Sequence, residues 1–295
     1  MARAVPKGEL VRIRTADCLE LQGLLFEPDG KTDLAIVHVH GWVGNFYENK
    51  FLDSVAREAV GRGISFLSFN NRGTGIVTDI IRVEKAGRGF ARIGGSLERF
   101  EDCVTDVRAA LDFLQRRGYE RVVLEGHSSG CQKITHYFSK TRDRRVRGLV
   151  EMSPADDCEV SRKILKGRYG EAIEIAKEMA ARGRGGEPVP SWMAFYPLLC
   201  ARTFLGVADP ESAFGRIFDY SGKLEEIRSI DRPVLVALAG NDGYIGNPKQ
   251  KAAVLRKAAK NCSVALFPNA NHWFCGSEDK LAKAIIGWVE KSVKN

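Results

Sequence analysis

Gly126-His127-Ser128-Ser129-Gly130 is a Gly-x-Ser-x-Gly pentapeptide whose setting makes it informative: Arg121 to Leu124 predicts a strand running into it, and a helical stretch leaves it through about Lys140. A serine on such a strand-to-helix turn is presented at a helix N-terminus, and the flanking glycines remove side chains that would strike neighbouring backbone. The chemistry this suits is attack on an acyl carbon. A serine hydroxyl is a weak nucleophile near neutral pH, so it needs a base within hydrogen-bond reach and an acid to orient that base. Around this kind of turn the chain order is Ser, then Asp or Glu, then His. The later sequence has that order, because Pro233 to Ala239 is an apolar run ending in Gly240-Asn241-Asp242, and Ser263 to Phe267 is another ending in Pro268-Asn269-Ala270-Asn271-His272.

Only five histidines compete for the role of base. His38 lies in an apolar strand and His136 in a helix, where ordinary core or surface partners are expected. His127 is the variable position of the pentapeptide, with its side chain turned away from the serine, and His40 belongs to a glycine-containing loop. His272 alone follows an acidic candidate and is assigned as general base. Asp242 is assigned as the orienting acid; Asp156 and Asp157, which follow a strand at Arg147 to Met152, are the competing carboxylates. The oxyanion formed in acyl transfer requires two backbone N–H donors. Ser129 offers one at the helix N-terminus, and Trp42, within His40-Gly41-Trp42-Val43-Gly44-Asn45, offers the other, with its ring lining the acyl pocket.

These groups need elements to hold them, and the chain alternates short β-branched runs with amphipathic helices, without an internal repeat. Leu10 to Arg14 and Leu19 to Phe26 predict a hairpin, Leu34 to Val39 a buried strand, Phe51 to Gly61 a helix, and Ile64 to Phe69 the next strand. About Asn71 to Leu97 is expected as a long loop bordering the pocket. A helix follows at about Glu98 to Arg117, with Phe100, Val104, Val107, Leu111 and Leu114 on one face. The pattern predicts an α/β fold with a mainly parallel sheet and flanking helices, and with the candidate residues just past the carboxyl ends of its strands.

The bulk properties exclude several classes. The chain has 295 residues and a formal net charge of +8, yet no Lys/Arg block and no nucleic-acid motif, so no nucleic-acid partner is expected. The polar start, Met1 to Leu10, lacks an apolar leader, and no run approaches a membrane span, so a cytoplasmic protein off the membrane is expected. Seven scattered cysteines without a C-x-x-C pair predict mostly buried free thiols rather than a disulfide framework or a metal site. No cofactor is implied, and a homodimer is left open. In the loop after the fourth strand, Arg72, Arg82, Lys85, Arg88 and Arg92 face Asp79 and Glu84; Arg72, Arg82 and Arg88 are candidates to hold an anionic part of a substrate, with solvated surface charge as the competing reading.

The full length, apart from one insertion, resembles the α/β-hydrolase superfamily, with His40-Gly41, Gly126 to Gly130, Asp242 and His272 in the expected places. The stretches Gly44-Asn45-Phe46-Tyr47-Glu48-Asn49 and Phe69-Asn70-Asn71-Arg72-Gly73, with Asn271-His272, are similar to a branch grouped with siderophore-ester hydrolases. The resemblance implies an α/β-hydrolase fold whose core spans residues 1–154 and 232–295. It implies a helical cap at residues 155–231, after the sixth strand, with Val160, Ile164, Ile173, Ala176 and Ala180 on an apolar helical face. Of the aromatic residues Trp192, Phe195, Tyr196, Phe204, Phe214 and Phe218, Trp192 and Tyr196 are named as substrate contacts. Ser129 departs from the pattern, since many relatives carry an apolar residue there. The implied activity is hydrolysis of a small-molecule carboxylic ester, lactone or thioester through an acyl-enzyme on Ser128. An acyltransferase or peptidase using the same triad, and a non-catalytic binding protein on the same scaffold, are the alternatives.

Overall fold

The computed structural model describes residues 6–294; Met1 to Val5 of the polar start lie outside the described residues. In chain order the strands are β1 (Gly8–Arg14), β2 (Glu20–Phe26), β3 (Leu34–Val39), β4 (Ser65–Phe69), β5 (Thr78–Glu84), β6 (Gly87–Ile93), β7 (Arg121–His127), β8 (Val146–Met152), β9 (Val234–Ala239) and β10 (Cys262–Phe267). The α-helices are α1 (Phe51–Gly61), α2 (Cys103–Arg116), α3 (Ser129–Thr141), α4 (Asp157–Leu165), α5 (Tyr169–Ala181), α6 (Ala201–Ala208), α7 (Ala213–Ile217), α8 (Glu225–Ser229), α9 (Pro248–Ala258) and α10 (Glu278–Val289).

Eight strands form one sheet in the order β1-β2-β4-β3-β7-β8-β9-β10. The hairpin β1-β2 is antiparallel and β2 joins β4 antiparallel; from β4 to β10 every neighbouring pair is parallel. Their carboxyl ends therefore share one edge of the sheet, the edge on which such folds build their sites. β3 and β9 are buried at every position because helices cover both faces, which is why they read as continuous apolar runs rather than alternating ones. On one face Phe51, Leu52 and Val55 of α1 and Leu281, Ile285 and Ile286 of α10 pack against Ile36, Phe66 and Val123. α2 and α3 cover the opposite face.

Three sequence expectations are corrected. The segment 71–97 is not simply a loop, because Thr78–Glu84 and Gly87–Ile93 pair as a separate antiparallel hairpin. Its alternating Ile81-Arg82-Val83-Glu84 pattern and the two-residue turn Lys85-Ala86 before Gly87 are hairpin chemistry. The α2 helix starts at Cys103, after a 3-10 turn at Phe100–Asp102 that still buries Phe100. The apolar face expected to run through residues 160–180 does not exist as one stripe: Ile164 and Ala180 are exposed, and Ala172, Ile173, Ala176 and Met179 are the buried face of α5. A break at Lys166–Arg168 resets the helical phase between α4 and α5.

The segment between β8 and β9 packs in two ways. Leu165, Ile173, Ala176, Met179, Met193 and Phe204 form a cluster of their own, whereas Phe214, Ile217, Phe218 and Ile227 join the cluster beneath α3. Cys103, Cys131, Cys158 and Cys200 are buried and all seven thiols are free. Among the described residues no helix is long and apolar enough to cross a membrane.

Two acidic side chains are buried within the sheet. Glu125 on β7 pairs with His38 Nδ1 on β3 at 2.8 Å. Glu151 on β8 accepts a 2.8 Å bond from Thr135 Oγ1, and burial pushes its pKa up to about 8. Folded Glu151 thus keeps a proton that the unfolded chain releases near pH 4.5. Between those values the folded state binds more protons, so this residue makes stability fall as pH rises. Glu151→Gln should leave stability at about pH 5 little changed and raise it at about pH 9 by on the order of 2–4 kcal/mol. Urea unfolding of both proteins across that range measures the difference.

Candidate active site

At the end of β7, Ser128 takes φ 54° and ψ −127° and caps the N-terminus of α3. Its N–H donates to the Met152 carbonyl at 2.9 Å, and its own carbonyl accepts from the Cys131 N–H at 2.9 Å, so neighbouring elements hold both sides of the turn. Only glycine fits two places after it, where a Cβ at Gly130 would lie 2.0 Å from the Val39 oxygen, and the loop facing it comes so near that a Cβ at Gly41 would lie 3.0 Å from Ser128 Cβ. The loop leaving β3 therefore runs directly against Ser128.

Asp242 follows β9 and His272 follows β10, adjacent parallel strands. Two backbone bonds join their loops, Gly240 N–H to the Phe267 oxygen at 2.8 Å and Asn241 N–H to the Ala270 oxygen at 2.9 Å. His272 Nδ1–H donates to Asp242 Oδ2 at 2.7 Å, while Asp242 Oδ1 accepts the Tyr244 N–H at 2.9 Å. Burial pushes the Asp242 carboxyl up, but the bond and the charge of His272 outweigh it and hold the group below its usual value. The carboxylate stays ionised at neutral pH and fixes the tautomer in which His272 Nε2 is free to accept a proton. Ser128 and His272 line one cavity of about 220 Å³, together with Gly41, Trp42, His127 and Ser129. Asp156 instead caps α4 by accepting the Glu159 N–H at 2.8 Å, and Asp157 accepts from Gln132 Nε2 at 2.8 Å; neither is hydrogen-bonded to His272.

Two further histidines act as struts that spacing alone could not reveal. His127 Nε2–H donates to the carbonyl of His272 at 2.8 Å, a partner 145 residues away. Burial first, and then the neighbouring His272, push its pKa down to about 3, so it stays neutral and keeps that donor geometry. His40 Nδ1–H donates to the Gly41 oxygen at 2.8 Å and its Nε2 accepts the Asn71 N–H at 3.1 Å, which anchors the loop facing Ser128. Lys133, itself buried, fixes Asn71 Oδ1 at 2.9 Å. The rings of Tyr244 and Trp273, 4.7 and 5.4 Å from that of His272, also went unmarked in the sequence.

Trp42 Nε1–H donates to the Gly95 oxygen at 2.6 Å, and its ring meets Tyr196 edge-on at 5.1 Å. Trp42 and Ser129 border both this cavity and a neighbouring one of about 360 Å³. Tyr196 lines the cavity holding Ser128. Trp192 does not; it lies beneath the Arg168 guanidinium at 3.4 Å. No residue of the segment 71–97 lines that cavity either. Arg72 is buried against Asp106 at 2.7 Å and Asp17 at 3.0 Å, while Arg82 pairs with Glu84 at 2.8 Å and Arg88 with Glu20 at 3.3 Å on the outer surface. The hairpin sets Arg82 and Arg88 beside acidic neighbours, and neither lines the cavity of Ser128.

A model of the family described as "Alpha/beta hydrolase family" matches residues 36–284. No curated protein sequence matches the chain. Among solved structures, the siderophore hydrolase EstB from Aspergillus fumigatus is similar at 17% identity and TM-score 0.70, over 98% of this chain and 100% of that one. Est1E from Butyrivibrio proteoclasticus, with ferulic acid bound, is similar at 16% identity and TM-score 0.68, over 97% of this chain and 100% of that one. The esterase domain of a Rhodothermus marinus protein is similar at 16% identity and TM-score 0.60, over 97% and 98%. At these identities the likeness is one of fold.

The placement of the arginines has a measurable consequence. Arg72→Met strips a buried carboxylate, Asp106, of its counter-charge and should cost about 3–5 kcal/mol of stability. Arg82→Met and Arg88→Met break exposed pairs and should each cost less than about 1 kcal/mol. Urea unfolding of the three variants checks the contrast.

Proposed function

This chain belongs to the alpha/beta hydrolase family, and from that premise we propose that it is a serine hydrolase cleaving a small-molecule carboxylic ester, lactone or thioester through an acyl-enzyme on Ser128. The observation that carries the reading is the 2.7 Å bond from His272 Nδ1 to Asp242 Oδ2, on the wall of the cavity that Ser128 also lines. His272 Nε2 takes the Ser128 hydroxyl proton as Oγ attacks the acyl carbon, and Asp242 stabilises the imidazolium that forms. The backbone N–H groups of Trp42 and Ser129 receive the oxyanion of the tetrahedral intermediate. Collapse expels the alcohol or thiol, which leaves with the proton from His272. Water then attacks the acyl-enzyme with His272 again as base, releasing the acid and restoring Ser128.

Residues 155–231 are assigned as a cap over a core of residues 1–154 and 232–295. Ala155, Asp157 and Tyr196 from that segment line the cavity together with Gly41 to Gly44 and His272. The separate cluster around Ile173 and Phe204 supports this assignment, because it gives the segment a core of its own.

Ser128→Ala should abolish hydrolysis of an activated ester and labelling by a fluorophosphonate; labelling that persists at another serine would sink the assignment. Asp242→Asn should lower kcat by roughly 10³- to 10⁴-fold with little change in KM, because the amide supports the wrong imidazole tautomer. Asp156→Asn should cost less than about tenfold in kcat. Steady-state kinetics, with circular dichroism to confirm folding, decide between the two aspartates.

A further inference from the structure

The wall of the cavity around Ser128 has a composition opposite to that of the whole protein. The chain carries a net charge of +8, yet among the described residues no lysine or arginine lines this cavity, while two carboxylates, Glu48 and Asp157, do. Four aromatic rings, Trp42, Tyr196, Tyr244 and Trp273, share the wall with them. Tyr244 and Trp273 are 43% and 47% exposed, a large uncovered aromatic area flanking His272 on an enzyme surface where such area ordinarily marks a binding site. Both carboxylates are fixed in place: Asp157 by Gln132, and Glu48 by the side-chain amide of Asn45 at 2.9 Å together with its own N–H to Asn45 Oδ1 at 2.8 Å.

Carboxylates with aromatic faces and no competing cation form a receptor for a positive group. The ring quadrupole attracts a cation over its face, and the carboxylates supply the net charge. The surface cations do not cancel this field, since they lie outside the cavity and are screened beyond a Debye length of about 8 Å at physiological ionic strength. Arg72, Arg82, Arg88 and Arg92 are in addition paired with their own acids.

Resting on the assignment of Ser128 as nucleophile, we propose that the substrates of this enzyme are esters carrying a cationic group, an amine or quaternary ammonium, held between the aromatic rings and the carboxylates of Asp157 and Glu48. The preference has a built-in pH dependence. The titratable groups around Asp157 are Asp156 beside it, Cys131 on α3, Cys158 on α4, and Tyr196 and Tyr220 from the segment between α5 and α8, with Glu48, His127, Tyr244 and His272 on the same cavity wall; none of them is a lysine or arginine. Burial, and after it the charge of Asp156, push the Asp157 pKa up to about 7. Asp157 gains its charge as pH rises through neutrality, so attraction for a permanent cation strengthens over that range.

Two isosteric pairs test the proposal. Acetylthiocholine is compared with S-(3,3-dimethylbutyl) thioacetate for a cation on the leaving group, and the ethyl thioester of betaine with that of 3,3-dimethylbutanoic acid for a cation on the acyl side. Thiol release reports all four, and a carboxylate-bearing thioacetate serves as the anionic counterpart. In one pair or both, kcat/KM should favour the cation by on the order of tenfold or more, chiefly through KM, with the anion poorest. The ratio should rise from about pH 6 to about pH 8.5. In Asp157→Asn with Glu48→Gln it should fall toward unity and lose its pH dependence. A wild-type enzyme that turns over the neutral thioesters with no cationic preference overturns the proposal and leaves Ser128 standing. Failure to hydrolyse any member, together with no fluorophosphonate labelling of Ser128, overturns both.

Discussion

At Ser128 the backbone holds φ 54° and ψ −127°, a region that costs a residue bearing a side chain on the order of 1–3 kcal/mol. Such a turn persists only if its surroundings leave no alternative. β7 delivers it from the middle of the sheet, the Met152 oxygen holds the Ser128 N–H, and α3 is buried from Ser129 to Phe138. The contact of Gly130 with the Val39 oxygen brings the helix start so close to β3 that the loop leaving β3 must lie against the serine. The position of Trp42 is thus a consequence of the turn.

The electrostatics around the turn follow from a division of labour among buried imidazoles. His127 and His40 are kept neutral by burial and spend their N–H groups on the carbonyls of His272 and Gly41. They brace the loops that carry His272 and Trp42. His272 differs from both in bonding to an ionised carboxylate, the arrangement on which its proposed role rests. Deeper polar groups serve the scaffold: Arg72 with Asp106 and Lys133 with Glu98 tie the segment after β4 to α2 and α3.

Charge in this protein has to be read locally. The positive total belongs to a surface whose arginines are largely engaged by acidic neighbours, whereas the cavity wall is acidic and aromatic. A count of five cations to two anions in one stretch of sequence left an anionic substrate and solvated surface charge as competing readings, and the hairpin β5-β6 shows where these cations find their partners. Its strands alternate their side chains between faces, so Arg82 and Arg92 meet Glu84 and Asp79 of the same hairpin, and Arg88 meets Glu20 of β2.

The sequence alone determined the mainly parallel sheet with flanking helices, its strands apart from the β5-β6 hairpin, and the identity of Ser128, Asp242 and His272 as candidates. Those features are written locally, in apolar runs of strand length, in glycines around one serine, and in acidic and basic residues just past strand ends. Tertiary structure decided which groups meet. Whether Asp242 or Asp157 bonds to His272 depends on β9 and β10 being adjacent, and the roles of His127, His40, Tyr244 and Trp273 depend on loops brought together from distant parts of the chain. The phase break between α4 and α5 and the pairing of the surface arginines were likewise invisible beforehand. Each is fixed by packing partners far away in sequence, and neither residue type nor spacing records who those partners are.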